Sequence, residues 1–198
     1  MGTRHLTVIV KDNKIKLSQY GQWDGYFSVQ GERFMNFVKD NLQKSTKFFN
    51  ERVDALEEVN QKYYDEVIKH YEEINKNNKF AMPFEVMLPQ FSRDTGTRIL
   101  DIINHISVYD LDNKKFPISL CLDPSWCEFV YVINLDTEEV YMLTNWEFKG
   151  KPEEVPELIS KTYKMDCCYK STIKDLPEIS EIKKVLLSKR DDGFGCNF

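Results

Sequence analysis

The stretch that most limits how this chain can fold is its start, MGTRHLTVIVKDNKIKLSQY. Leu6, Val8 and Val10 alternate with other residues, the polar KDNK follows, and Ile15 and Leu17 resume the alternation. A period of two on both sides of Asp12–Asn13 predicts a β-hairpin closed by a two-residue turn. Counting outward from that turn pairs Lys11 with Lys14, Val10 with Ile15, Val8 with Leu17 and Leu6 with Gln19. Arg4 then falls opposite Gly21 and Gly2 opposite Trp23, while His5 meets Tyr20 and Thr3 meets Gln22 on the other face.

That register carries the N-terminal residues onto QYGQWDGYFSVQG, residues 19–31, where three of the chain's eight glycines sit among aromatic rings. A glycine opposite Arg4 leaves room for a guanidinium across the strand. Asp24–Gly25 is a turn dipeptide, with glycine able to take a positive φ. Gly31 precedes a helical pattern, where free amides attract anions. The expected site is therefore Arg4 with Tyr20, Gln22, Trp23, Asp24, Gly25, Tyr26 and Ser28. The rings stack on a planar ligand, the arginine takes its phosphate or carboxylate, and Asp24 orients Arg4 or a ribose hydroxyl. The plain alternative is that glycines permit turns, an Arg4–Asp24 pair ties down the N-terminus, and the rings fill a core.

From about residue 31 to 78 the apolar period changes to that of a helix, through Phe34, Val38, Leu42, Phe49, Val53, Leu56, Tyr63, Val67, Tyr71 and Ile74. One very long helix or two is expected, broken at Lys44–Ser45–Thr46, packing on the domain's own sheet or offering an arm to a partner. A helix follows through Ile99, Ile102, Ile103 and Ile106; FPISLCL and EFVYVINLDTEEVYML read as strands, the latter as a second hairpin. Helices opening near Pro152 and Pro177 complete the pattern. The reading is one α+β domain over residues 1–198: an antiparallel sheet with an N-terminal and a late hairpin, covered by long helices, including the helical segment 31–78.

The start MGTR, together with Q-W-D-G-Y and the late hairpin, resembles a family of small bacterial, phage and fungal proteins. Their chains begin MGTR and carry a Q-[WF]-D-G-Y-P-S-G-x-G stretch. The resemblance covers the first forty residues and that hairpin, and points to Gly2, Thr3, Arg4, Gln22, Asp24, Gly25, Tyr26, Ser28 and Gly31. Phe27 and Val29 depart from the family's Pro and Gly. The family brings no activity with it.

Composition narrows the function. The net charge of −5 without long like-charge runs argues against a nucleic-acid partner. No apolar run is long enough for a membrane span or a secretion signal, and five cysteines without CxxC spacing fit a reducing cytoplasm. Lysine outnumbers arginine 21 to 6, a bias expected of a phage or bacterium with an AT-rich genome. No metal or cofactor is expected: the three histidines are scattered, and Cys167–Cys168 with Cys196 lacks a zinc frame. Beside Tyr20, His5 is a sheet contact or a proton carrier.

The favoured class is a non-catalytic cytoplasmic binding protein for a small anionic ligand, nucleotide-derived in its sharper form, as in a phage protein that sequesters a host defence signal. Two alternatives stay open. One is a protein-binding module, inhibitor or homo-oligomer acting through residues 34–74. The other is an N-terminal-nucleophile-like hydrolase, although Gly2 has no nucleophilic atom.

Overall fold

Asp12 and Asn13 take φ of +54° and +52°, the left-handed pair that a two-residue hairpin turn requires. They join β1 (His5–Lys11) to β2 (Lys14–Gly21). The computed structural model describes residues 2–76, 82–106 and 115–189. Cys196 and Asn78, the expected end of the long helical segment, lie outside the described residues, whereas the helix expected to run through Ile106 ends at Asn104.

The hairpin register departs from the count made outward from the turn. Lys11 pairs with Lys14 and Val10 with Ile15, but Ile9 pairs with Leu17, so Lys16 is an extra residue on β2. Beyond this bulge every partner moves by one: Val8 faces Ser18, Leu6 faces Tyr20, and His5, not Arg4, faces Gly21.

β1 runs parallel to β5 (Phe129–Asn134), with Leu6 beside Val130 and Val8 beside Val132. β5 forms the expected late hairpin with β6 (Glu139–Thr144), and β6 pairs antiparallel with β7 (Asp166–Thr172). The five-stranded order is β2-β1-β5-β6-β7. The α+β architecture stands, and the sheet is mostly antiparallel with one parallel ladder. That ladder is possible because the long excursion between β1 and β5 provides a crossover.

Both faces of the sheet are covered. One carries Ile9, Phe129, Tyr131, Ile133, Val140 and Met142, and packs against Phe34, Phe37, Phe49, Ile99 and Ile103. The other carries Leu6, Val8, Val130, Val132, Tyr141 and Leu143 and packs against Ile159 and Tyr163. Ile159 and Tyr163 belong to a short helix that follows Pro156, later than the expected start near Pro152.

The helical segment 31–78 is not one or two long helices. A π-helical turn (Phe27–Gly31) leads into α1 (Glu32–Phe37) and a second π turn (Val38–Leu42). After the expected break, α2 (Lys47–Val53) ends before a short strand, β3 (Leu56–Glu58), which pairs parallel with β4 (Phe116–Ile118). Then α3 (Gln61–Asn75) begins, capped by the Asn60 side chain, which accepts the Tyr63 amide at 2.9 Å. Residues 34–53 supply the core layer, while α3 contributes no buried side chain. The periodicity spans both pieces because α3 uses its apolar stripe on loop partners, with Tyr64 against Phe91 and Tyr71 against Phe84.

Candidate ligand cleft

The eight expected site residues separate into three environments. Arg4 leaves β1 with its amide donating to Glu128 Oε2 at 2.6 Å, its carbonyl accepting the Glu128 amide at 2.9 Å, and its guanidinium 5.9 Å from the Trp126 ring centroid. Trp126 is 71% exposed, so this cation–π contact lies at the surface. Arg4 does not reach across Gly21, and it forms no ion pair with Asp24 among the described residues.

The Asp24–Gly25 turn also differs in detail. The positive φ belongs to Asp24, at +53°. Gly25 is required instead by close approach: a Cβ there would lie 3.0 Å from the Arg4 carbonyl carbon and the Thr3 oxygen. The Gly25 amide donates to that Thr3 oxygen at 2.9 Å. Arg4 and the turn therefore meet through backbone, not through side-chain charge. Gly31 offers no free helix terminus, because its amide already donates to Tyr26 O and the helical path begins at Phe27.

Tyr26 is a partly buried ring packed against the larger core, 6.5 Å from Phe129 and 5.9 Å from Trp146 between centroids. Ser28 lies on a separate shallow surface with Arg33, Asp40 and Asp101. Trp23 is half exposed beside Gly2, and its Nε1 donates to Asp94 Oδ1 at 2.9 Å. The Gln22 amide donates to the Arg93 carbonyl at 3.0 Å. These last two bonds tie the stretch to the loop at residues 92–98.

Tyr20 lines a different concavity from the surface that holds Ser28. A cleft of about 240 Å³ opens between β2, the start of α3 and the turn before Ser92, with Tyr20, Gln61, Tyr64, Gln90, Phe91 and Arg93 on its walls. Arg93 is the one charged side chain among its described lining residues. Partial burial raises the Tyr20 phenol above its ordinary range, while the guanidiniums of Arg4 and, less strongly, Arg93 pull the other way. Two cations thus act on one phenol, one from the start of the chain and one from the loop at residues 92–98.

Sequence reasoning missed Arg93, Gln90 and Phe91, because they lie in the connection ahead of the helix through Ile99 and carry neither an alternating nor a helical pattern. A helical turn, α4 (Phe84–Met87), and a short 3-10 turn, Gly96–Arg98, precede the helix there, α5 (Ile99–Asn104). It missed β7 as well. Cys167 and Cys168 are consecutive strand residues in the two opposite core layers, and burial raises both thiols, Cys167 to about 11.

His5 sits apart from this cleft, fully buried on the face of β1 toward the larger core, its ring edge-on to Tyr131 at 6.1 Å. Neither ring nitrogen has a hydrogen-bond partner, and burial lowers its pKa to about 4.

No family model, curated protein or solved structure matches this chain.

Proposed function

We propose that this protein binds a small anionic molecule in the cleft around Arg93 and Tyr20 and does not transform it. The observation that carries this reading is a concave wall with one guanidinium, glutamine amides and three rings, Tyr20, Tyr64 and Phe91, with no carboxylate lining it. A guanidinium takes phosphate or carboxylate with bidentate geometry. The rings offer faces to a planar group, and the amides offer both donors and acceptors to its edge. A nucleotide-derived ligand combines these features, and sequestration of a signal molecule, as by a phage protein in a host cytoplasm, is the role that fits binding without turnover. The site differs from the one expected around the Gln22–Tyr26 turn: it keeps Tyr20, leaves Arg4 outside the lining, and replaces Asp24 and Tyr26 with Arg93, Tyr64 and Phe91.

Titration calorimetry with adenosine monophosphate and with inorganic phosphate tests this. The nucleotide binds more tightly than phosphate, and Arg93→Ala weakens it about tenfold or more. Absence of binding by both probes, or an unchanged affinity in folded Arg93→Ala, contradicts the reading. Steady conversion of the nucleotide favours a hydrolase instead.

A second reading rests on α3. It has no buried side chain, and Tyr63, Ile74, Met82, Val86 and Met87 are exposed on it and on the segment that follows. This is the arm through which a protein partner or a second copy would act.

A further inference from the structure

His5 is held in a slot made of two glycines from different parts of the chain. A Cβ on Gly21, its partner on β2, would lie 2.5 Å from the ring's Nε2 and 2.8 Å from Nδ1. A Cβ on Gly96, in the 92–98 loop, would lie 3.0 Å from Nε2. Gly96 also takes φ +51°, a conformation that resists any side chain. Loop and strand therefore close on the imidazole from two sides, and both ring nitrogens are left without partners.

The same loop carries Arg93 into the cleft. It is tied down by Gln22 N to Arg93 O, by Gln19 Nε2 to Ser92 O at 2.8 Å, and by Thr97 Oγ1 to Gln30 Oε1 at 2.5 Å. His5 lies beneath these ties. The geometry points to His5 as a proton-sensitive latch: neutral, it lets the 92–98 loop seat against the sheet, and protonated, it forces that loop off and withdraws Arg93 from the cleft. This regulation rests on the reading of the cleft as the ligand site, but the motion itself does not.

The groups around the ring fit that behaviour. β2 and the loop present glycines, the π turn presents the Gln30 amide near Gly96, and β1 presents Thr7, whose hydroxyl is also buried without a partner. The titratable group facing His5 from β5 is Tyr131, kept neutral far above its ordinary range by burial, its hydroxyl donating to Gly25 O at 2.7 Å. Desolvation is the cause of the His5 shift, with no neighbouring carboxylate to stabilise an imidazolium. A proton arriving there is relieved by opening to water. Of the two elements forming the slot, Gly21 lies in a paired strand, and the loop can leave by breaking the three ties above without breaking a strand ladder.

Amide hydrogen exchange on the full, ligand-free chain tests the latch, with rates corrected for intrinsic pH dependence. An exposed imidazole titrates near 6.5 and the closed one at about 4, so opening becomes about thirtyfold more favourable at pH 5 than at pH 7.5. Exchange at Asp94, Thr95, Thr97 and Arg98 rises by that order while Val130–Ile133 stay unchanged, and the His5 ring resonances titrate together with the loop amides. His5→Phe, which keeps a planar ring without the proton, removes the pH dependence. Equal change in loop and sheet amides, loop exchange unchanged with pH, or persistence of the effect in folded His5→Phe overturns the latch. Because no ligand is present, those outcomes are independent of whether Arg93→Ala loses adenosine monophosphate.

Discussion

The His5 imidazole occupies the space that a side chain on Gly21 would need, with Nε2 only 2.5 Å from where the Cβ would stand. Gly21→Ala therefore destabilises the fold by roughly 1–3 kcal/mol through overpacking. Urea denaturation measures this. Gly21→Ala combined with His5→Ala recovers part of the loss, since the shorter side chain clears the slot. An additive double mutant contradicts the contact.

Acid acts on the same residue. The His5 pKa is lowered from 6.5 in the unfolded chain to about 4 in the folded one, so between these values the unfolded state binds the proton first. Stability that is fully present above pH 6.5 is lost as the pH falls toward 4, by about 3 kcal/mol for this one group. Carboxylates also titrate in acid, so the check is the difference between the wild type and His5→Phe in denaturant midpoints at pH 7.5 and pH 5. The wild type loses more stability over that interval. Equal losses contradict the assignment.

Tyr26 separates packing from binding. Its ring lies against Phe129 and Trp146 in the larger core. Tyr26→Ala costs about 2 kcal/mol of folding stability. At a temperature where it remains folded, its affinity for adenosine monophosphate equals that of the wild type in calorimetry. A selective loss of affinity without a loss of stability would restore Tyr26 to the binding surface.

The elements that could be read from the sequence were those with one dominant local signal. The KDNK turn, the late hairpin at Phe129–Thr144 and the last helix, Ile179–Ser188, all fall where alternation or periodicity places them. What escaped has a physical cause in each instance. Val8, Ile9 and Val10 are consecutive apolar residues on a strand buried on both faces, so alternation could not reveal the bulge at Lys16. That single extra residue moved His5, instead of Arg4, onto Gly21. β7 was hidden because Cys167, Cys168 and Tyr169 are buried in succession and show no period of two. Arg93 was hidden because its place in the cleft depends on long-range ties, through Gln22 and Gln19, that leave no trace in local spacing. Tyr20 was legible as a candidate; the residues that share its cleft were not.

The two arginines near Tyr20 differ in rank. Arg93 lines the cleft, whereas the Arg4 guanidinium stands over the exposed Trp126 ring and is not among the lining residues. Arg4→Ala consequently reduces affinity for adenosine monophosphate less than Arg93→Ala does, and the remaining dependence on salt is stronger in Arg4→Ala. Calorimetry at two ionic strengths checks this order. The reverse ranking contradicts the placement of the site.

The most direct test of the central claim compares what the protein retains from cells. Wild-type protein and Arg93→Ala are purified under identical native conditions, denatured, and the released small molecules are identified by mass spectrometry. The account predicts an anionic species in stoichiometric proportion with the wild type and its loss from Arg93→Ala, with both proteins folded by circular dichroism. The same anionic species released in equal amount from both proteins, or none released from either, contradicts it.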